Sequence, residues 1–259
     1  MKLGYIYLFS LSLFFWSCNQ SINKPDRNRN LTNLKNVDIT RKWYYEDSTL
    51  RKEQEINKKG EPTGVYKYFY PSGVLEDSAY LIKNEFHGSR YEFDENGNLS
   101  IFSHYWRNRA RNGLFYRSDN SLNYYRCYGY AEDLLFLIEY DESGRFKRSD
   151  GYPIYQWIGD DIVKIGKKFK QELLVANPPH CKTKFTAYEL DEKGQKKRIL
   201  IETEPDVFNR IRYGVEQDPN EDKRYLNVVE IYDSTTQKSI EDKMMIRFYK
   251  SGKTSFERL

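Results

Sequence analysis

The residues able to do acid–base, nucleophilic or metal chemistry are few and poorly spaced. The chain has three histidines, His87, His104 and His180, and three cysteines, Cys18, Cys127 and Cys181. To hold a metal, His87 and His104 would need adjacent strands and a carboxylate such as Glu85, so a turn residue and a sheet-face residue are the plainer roles. His180 adjoins Cys181, but neighbours on an extended strand point to opposite faces, and only a bent loop would make them base and nucleophile. The paired carboxylates Asp94-Glu95, Asp141-Glu142 and Asp160-Asp161 lie in turn-like contexts. Solvated hairpin ends account for them better than general acid–base pairs, which need a pocket to separate their pKa values. CxxC, zinc-type spacing, GxxxxGK[ST] and GxSxG are all absent. The expectation is a non-enzymatic protein with no catalytic residues, no metal and no cofactor. Cys127 and Cys181 fall in different predicted domains and read as two separate half-buried thiols, although an oxidising compartment would permit a disulfide.

Charge and composition narrow the partner class. With 42 Lys and Arg against 38 Asp and Glu over 259 residues, the formal charge is +4, and neither half is a basic module. Nucleic acid is therefore excluded as the expected partner. Aromatic residues make up 16 % of the chain, 23 of them Tyr. Tyrosine suits strands with one buried and one wet face.

The elements that carry these residues repeat. Gly64-Val-Tyr-Lys-Tyr-Phe-Tyr-Pro-Ser-Gly73-Val-Leu75 is followed by Gly88-Ser-Arg-Tyr-Glu-Phe-Asp-Glu-Asn-Gly97-Asn-Leu99 and by Gly113-Leu-Phe-Tyr-Arg-Ser-Asp-Asn-Ser121-Leu122, a period of 24 or 25 residues. Each unit reads as strand, turn, strand, because Tyr66, Tyr68 and Tyr70 alternate with Val65, Lys67 and Phe69, and Pro71-Ser-Gly73 or Asn96-Gly97 then reverses the chain. Units are joined by segments that end on the glycine opening the next strand: Gly64, Gly88 and Gly113. This pattern resembles the bacterial variant of the MORN repeat over about residues 45 to 148. Three units are clear, a degenerate one leads at Glu46–Leu50, and another trails at Glu139–Phe146. Ser121 stands where the others have a turn glycine, and Arg90 where Tyr66 supplies an aromatic. Leu134–Ile138 reads as a buried strand docking onto the next domain.

A hairpin cannot bury its own apolar face, so the units are expected to stack into one long twisted sheet. Aligned on their glycines, Phe69 and Phe93, Leu75 with Leu99 and Leu122, and Tyr80 with Tyr105 and Tyr128 form lanes; Phe69, Phe93, Leu75 and Leu99 read as core. The tyrosines Tyr66, Tyr68 and Tyr70, with Tyr91 and Tyr116, cannot all be buried in a single layer and form the candidate binding face for a peptide, a glycan or another strand. Arg107, Arg109 and Arg111 form the one local basic run. It reads as a solvated turn or, because eukaryotic MORN repeats are often linked to membranes, as a contact for anionic lipid headgroups.

From Gly151 the period disappears. Short runs at Ile154–Ile158, Phe169–Val175, Phe185–Leu190, Ile199–Glu202, Ile211–Tyr213, Tyr225–Tyr232 and Met244–Tyr249, separated by turn residues, predict an antiparallel β-sandwich of immunoglobulin-like type. The predicted fold is thus all-β, an array of stacked β-hairpins over 41–149 followed by a sandwich over 150–259.

The N-terminus reads as targeting rather than structure. Lys2 precedes an apolar run from Tyr5 to Trp16, too short to span a bilayer, and Ser17 precedes Cys18. Residues 1–17 resemble the signal peptide of bacterial lipoproteins of the Bacteroidetes type. The resemblance implies lipidation at Cys18, a polar tether over 18–40 and attachment to the cell envelope, facing the periplasm from the outer membrane. The alternative is an ordinary secretory signal or N-terminal anchor. The expected function is a non-enzymatic envelope lipoprotein that binds an envelope protein or acts as a scaffold through the aromatic face of its array. Toxin neutralisation, which would go with a cytosolic address, and glycan binding are the alternatives.

Overall fold

Because every hairpin of residues 39–151 has a strand-competent partner next to it in sequence, the chain needs no crossover. It zigzags into one ten-stranded antiparallel sheet in sequential order. The strands are β1 (Ile39–Tyr44), β2 (Leu50–Ile56), β3 (Pro62–Phe69), β4 (Leu75–Ile82), β5 (Glu85–Phe93), β6 (Leu99–Trp106), β7 (Arg109–Tyr116), β8 (Leu122–Tyr128), β9 (Leu134–Tyr140) and β10 (Phe146–Gly151). The computed structural model describes residues 39–157, 168–216, 220–251 and 253–259, all within one compact unit. The residues read as a signal segment, Cys18 and those read as a tether up to residue 38 lie outside the described residues; Ile39 and Thr40, read as the end of the tether, already belong to β1.

Five turns set the repeat. They begin at Tyr45, Tyr70, Asp94, Arg117 and Asp141, at intervals of 25, 24, 23 and 24 residues. In each, the first N–H donates to the carbonyl four residues on, and the N–H three residues on donates back to the first carbonyl. That geometry requires a left-handed residue at the fourth position. Ser48, Gly73, Gly97, Asn120 and Gly144 supply it, with φ of 68°, 83°, 83°, 63° and 70°. The leading and trailing units are therefore full hairpins. In the third clear unit the residue replacing the turn glycine is Asn120, not Ser121, and Asn tolerates this backbone best after Gly. Each turn is closed by an apolar cross-strand pair: Tyr44 with Leu50, Phe69 with Leu75, Phe93 with Leu99, Tyr116 with Leu122 and Tyr140 with Phe146.

The opposite ends of the units are less uniform. Lys83-Asn84 and Arg107-Asn108 are two-residue turns with both φ values positive. Gly64 and Gly88, with φ of 100° and 84°, lie in bulges six residues before their turns. Gly113 lies four residues before its turn, pairs regularly with Ser103 and Arg126, and is not their equivalent. The corresponding bulge is at Arg111. Aligning on glycines thus shifts the third unit by two residues.

The C-terminal segment continues as β11 (Ile154–Trp157), β12 (Lys168–Val175), β13 (Cys181–Leu190), β14 (Lys196–Thr203), β15 (Arg210–Glu216), β16 (Lys223–Asp233), β17 (Lys238–Phe248) and β18 (Thr254–Arg258). Each of the seven predicted runs falls on a strand, except that Ile158 lies outside the described residues and Tyr249 follows the end of β17; β18, with its single large apolar residue Phe256, has no counterpart among them. Two antiparallel sheets result, ordered β11-β12-β15 and β14-β13-β16-β17-β18. Ile154, Leu173, Val175 and Ile211 of the first share a core with Phe185, Val229, Ile231, Ile246 and Phe248 of the second. The same core extends into the array through Leu122, Tyr125, Cys127, Phe136, Ile138 and Tyr140. β9 is therefore both a strand of the fifth hairpin and the docking strand read from its apolar run.

Farther from that junction no other sheet of the described residues packs on the array, where Ile56 and Leu81 are nevertheless buried. Phe69, Phe93, Leu75 and Leu99 are half-buried and belong to no core, contrary to the expectation for these lanes. Tyr80 and Tyr105 also fail to form one lane, since Tyr80 pairs with Val65 while the Tyr105 ring contacts Phe86 on the other face. Truncation should therefore have very different costs at the two ends. Phe136→Ala, at a side chain 1 % exposed, should lower unfolding free energy by about 3–5 kcal/mol, and Phe69→Ala by about 1 kcal/mol. Urea unfolding followed by tryptophan fluorescence measures both.

Candidate interaction face

Alternation along each strand divides the array into two faces. One carries Tyr66 and Tyr68, then Ala79 and Asp77, Arg90 and Glu92, Ser103 and Ile101, Phe115, Arg126 and Tyr124 in successive cross-strand register. The other carries Tyr91, Phe102, His104, Asn112, Tyr125 and Cys127, and its C-terminal part lies in the shared core. Tyr91 and Tyr116 thus face away from Tyr66 and Tyr68, and the five candidate tyrosines do not form one row. Tyr91 packs on Phe102 at 4.9 Å between ring centroids, and Tyr116 packs against the core. Tyr70 leaves both rows, because it begins a turn and donates its hydroxyl to the Phe93 carbonyl at 2.8 Å.

That last bond is one of a series. Tyr45 donates to the Phe69 carbonyl at 2.7 Å, and Arg117 to the Tyr140 carbonyl at 2.7 Å, so a turn-initiating side chain ties each of these hairpins to the next. Asp94, acceptor-only when ionised, breaks the series. It accepts instead from Asn98 and the N–H groups of its own turn, which hold its carboxyl below the ordinary range. Asp141 is held down in the same way, first by the Arg145 N–H. Those carboxylates are occupied with turn geometry, while Asp160 and Asp161 lie outside the described residues.

On the open face, cations and rings interleave. Lys52 Nζ sits 4.9 Å from the centroid of Trp43 and 5.1 Å from that of Tyr66; Arg90 lies 4.9 Å from Phe86 and 5.8 Å from Tyr105; Arg126 lies 4.4 Å from Phe115 and 5.5 Å from Tyr124. Arg51 lies 5.5 Å from the Tyr68 ring and donates to its hydroxyl at 2.6 Å. Cation–π contacts of this kind contribute about 0.5–1 kcal/mol each when exposed. Arg90 also makes a forked bond to Asp77 with distances of 2.8–3.1 Å. Burial pulls against its charge, but Asp77 more than compensates and holds the guanidinium above its ordinary pKa. Burial pushes the Tyr66 phenol up to about 12 and raises Glu92. The sequence pointed to Tyr66 and Tyr68; it did not point to Lys52, Arg90 and Arg126, whose only signal was Arg90 in an aromatic lane.

The docked face is built differently. Asn112 Nδ2 donates to Asn209 Oδ1 at 3.1 Å and to the Val207 carbonyl at 3.2 Å; Asn209 Nδ2 donates to the Tyr125 hydroxyl at 2.8 Å and to Cys127 Sγ at 3.3 Å. Asn209 has φ of 61° at the turn before β15, so one residue both forms the turn and satisfies the buried network. The His87, His104 and Trp106 rings pack around Phe208, and His104 Nδ1 lies 2.9 Å from Asn112 Oδ1. Cys127 is buried, its thiol pushed up to about 11 by burial, and both Cys127 and Cys181 are free. His180 is exposed in a turn.

The basic run does not converge. Arg107 is an exposed turn residue with φ of 50°, and Arg109 donates to the Tyr130 carbonyl. Arg111 is 2 % exposed, donates to the Gly129 carbonyl at 3.1 Å and stacks on Tyr130 at 4.5 Å. Its bulge position directs it into the junction with the C-terminal sheets, where burial lowers its pKa.

The junction carries a pH signature. Burial lowers the pKa of His104 and of His87 below the ordinary 6.5. A base whose folded pKa is depressed binds fewer protons folded than unfolded, so its stabilising effect is complete above the unfolded pKa and is lost as pH falls toward the folded one. Unfolding free energy should fall between pH 7 and pH 5, and the His87→Gln, His104→Gln double variant should show a shallower fall. Urea titrations across that range compare the two slopes.

Residues 62–80, which comprise β3 and most of β4, match the MORN repeat variant. No curated protein matches the chain. With sequence match and hairpin geometry agreeing at this unit, the first half of the chain contains a MORN-variant repeat set in a continuous hairpin sheet.

Proposed function

We propose that this chain is an envelope lipoprotein, anchored by lipid at Cys18, whose hairpin array binds a protein partner through its open face. A MORN repeat suggests a protein- or membrane-binding repeat module. The observation that carries the choice is that one face of the array is occupied by the C-terminal core, while every bond and ring contact from the other, among the described residues, stays within the array. That open face offers half-exposed Tyr and Arg groups, the side chains that dominate protein interfaces.

A membrane contact receives less support, since Arg111 is buried and Arg109 is spent on a carbonyl, leaving no basic cluster at the turn. Sugar stacking is likewise disfavoured, because Lys52 and Arg51 already cover the Tyr66 and Tyr68 rings. The C-terminal sheets act as a spacer in this reading, of immunoglobulin-like type. The grouping of the first, second and fifth strands in one sheet and the third, sixth and seventh in the other supports that assignment, while the fourth and eighth strands, β14 and β18, flank the second sheet.

Affinity purification of the full chain from cross-linked envelopes should recover a partner that the Tyr66→Ala, Tyr68→Ala variant loses by about tenfold or more. The variant must show unchanged thermal unfolding, and equal recovery would refute binding at this face. Separately, Cys18→Ser should abolish metabolic labelling with palmitate and release the protein from the membrane fraction; retained label would remove the lipoprotein assignment.

A further inference from the structure

We propose that β1 is a docking edge that accepts an extended, acidic segment of a partner protein by strand addition. All six residues of Ile39–Tyr44 are exposed, and the strand pairs with β2 on one side only. Among the described residues, no bond reaches its main chain from the other side. An unpaired row of N–H and C=O groups is a template for a further strand.

Some of the other edges are obstructed. Lys238 Nζ donates to the Phe146 and Lys147 carbonyls of β10 at 3.2 and 3.0 Å. β14 is interrupted by two register shifts. β18 is linked onward where Arg258 donates to the Ile154 carbonyl.

The repeat shows what an incoming strand meets. β3, β5, β7 and β9 each take β2, β4, β6 or β8 on the side where β1 takes nothing. At three of those joints a side chain donates to the carbonyl of the aromatic residue ending the strand: Phe69, Phe93 and Tyr140. Tyr44 holds the equivalent place in β1.

Charge selects the occupant. Lys42 is already paired with Glu53 at 2.9 Å, whereas Arg41 makes no ion pair among the described residues. A second copy is a poor fit, because the central antiparallel self-pairings set Arg41 against Arg41 or Lys42 against Lys42, and like charges directly opposite are destabilising. An acidic strand meets both cations.

The test uses the full-length protein and a short fluorescein-labelled peptide in which Glu alternates with Val. A Lys-for-Glu isomer and a form N-methylated at alternate residues serve as controls. The acidic peptide should raise anisotropy and slow hydrogen exchange at the amides of residues 39–44. N-methylation should abolish binding, because it removes the donors of one edge, and Arg41→Glu, Lys42→Glu should weaken it by about tenfold or more. The Tyr66→Ala, Tyr68→Ala variant should bind the peptide normally, which separates this edge from the open face. The inference is overturned if the acidic peptide does not bind, if the Lys isomer binds equally well, if protection appears elsewhere, or if amides 39–44 are already protected in the free chain.

Discussion

A β-hairpin is a single layer, and a single layer removes few of its side chains from water. Everything in the first half of this chain follows from that constraint. The main-chain ladder is complete between β1 and β10, but complete hydrogen bonding contributes little net stability, since the unfolded chain bonds equally well to water. Stability must enter by burial: Ile56, Ala79 and Leu81 are buried within the array itself, and the large shared core is where Leu122, Tyr125, Phe136, Ile138 and Tyr140 join the C-terminal sheets. From there the ladder passes order from hairpin to hairpin, as expected of an array whose units contact only their neighbours. Tyr45, Tyr70 and Arg117 reinforce it by reaching across to the next unit.

The faces diverge for the same reason. Lane by lane, the residue preceding each turn is aromatic, yet Tyr44 is exposed, Phe69, Phe93 and Tyr116 are half-buried, and Tyr140 is buried. One sequence position therefore has a gradient of environments fixed by distance from the docking core. Among the described residues the open face has no such partner and reduces its exposure by mutual cover, with Lys52, Arg90 and Arg126 lying over the rings and Asp77 pairing with Arg90. Such cover is only partial. It leaves the edges of rings and guanidinium groups available while keeping the free sheet soluble, the compromise expected of a surface that also meets a partner.

Much of this architecture was legible because turns obey local rules. Positive φ at the fourth turn position selects Gly or Asn, so Gly73, Gly97 and Gly144 announce their hairpins, and the strand alternation between them needs no tertiary information. Asn120 escaped only because Ser121 was set against Gly97. What could not be read was the face of each residue. A bulge adds one residue and reverses every later assignment on the strand. The exchange of glycine for Arg111 in the third bulge, with Gly113 two residues farther on, left the glycine lane apparently intact while moving the side chains beneath it. The grouping of Tyr91 and Tyr116 with Tyr66 rests on residue type alone, since both lie three residues after their glycines and Tyr66 two after Gly64, and the run Arg107, Arg109, Arg111 reads as surface although Arg111 is buried. The junction network was equally hidden, because Asn112 and Asn209 are separated by 97 residues and nothing in either neighbourhood marks the other.

The gradient also fixes where the array is most easily altered. At β9 a strand is held by its ladder and by a core on one face; at β1, among the described residues, it is held by a ladder on one side and by no core. Natural sheets shorten, bend or charge such edges to prevent uncontrolled pairing. Here β1 is regular through Trp43, with one register shift only at Tyr44, and it carries Arg41 and Lys42 at its centre. Those cations discourage self-pairing without blocking the main chain, so they act as a filter rather than a stop. An edge that excludes its own copy and leaves its hydrogen-bonding groups free is selective by construction. The same single-layer constraint that makes the array dependent on its C-terminal core leaves its far end ready for one more strand.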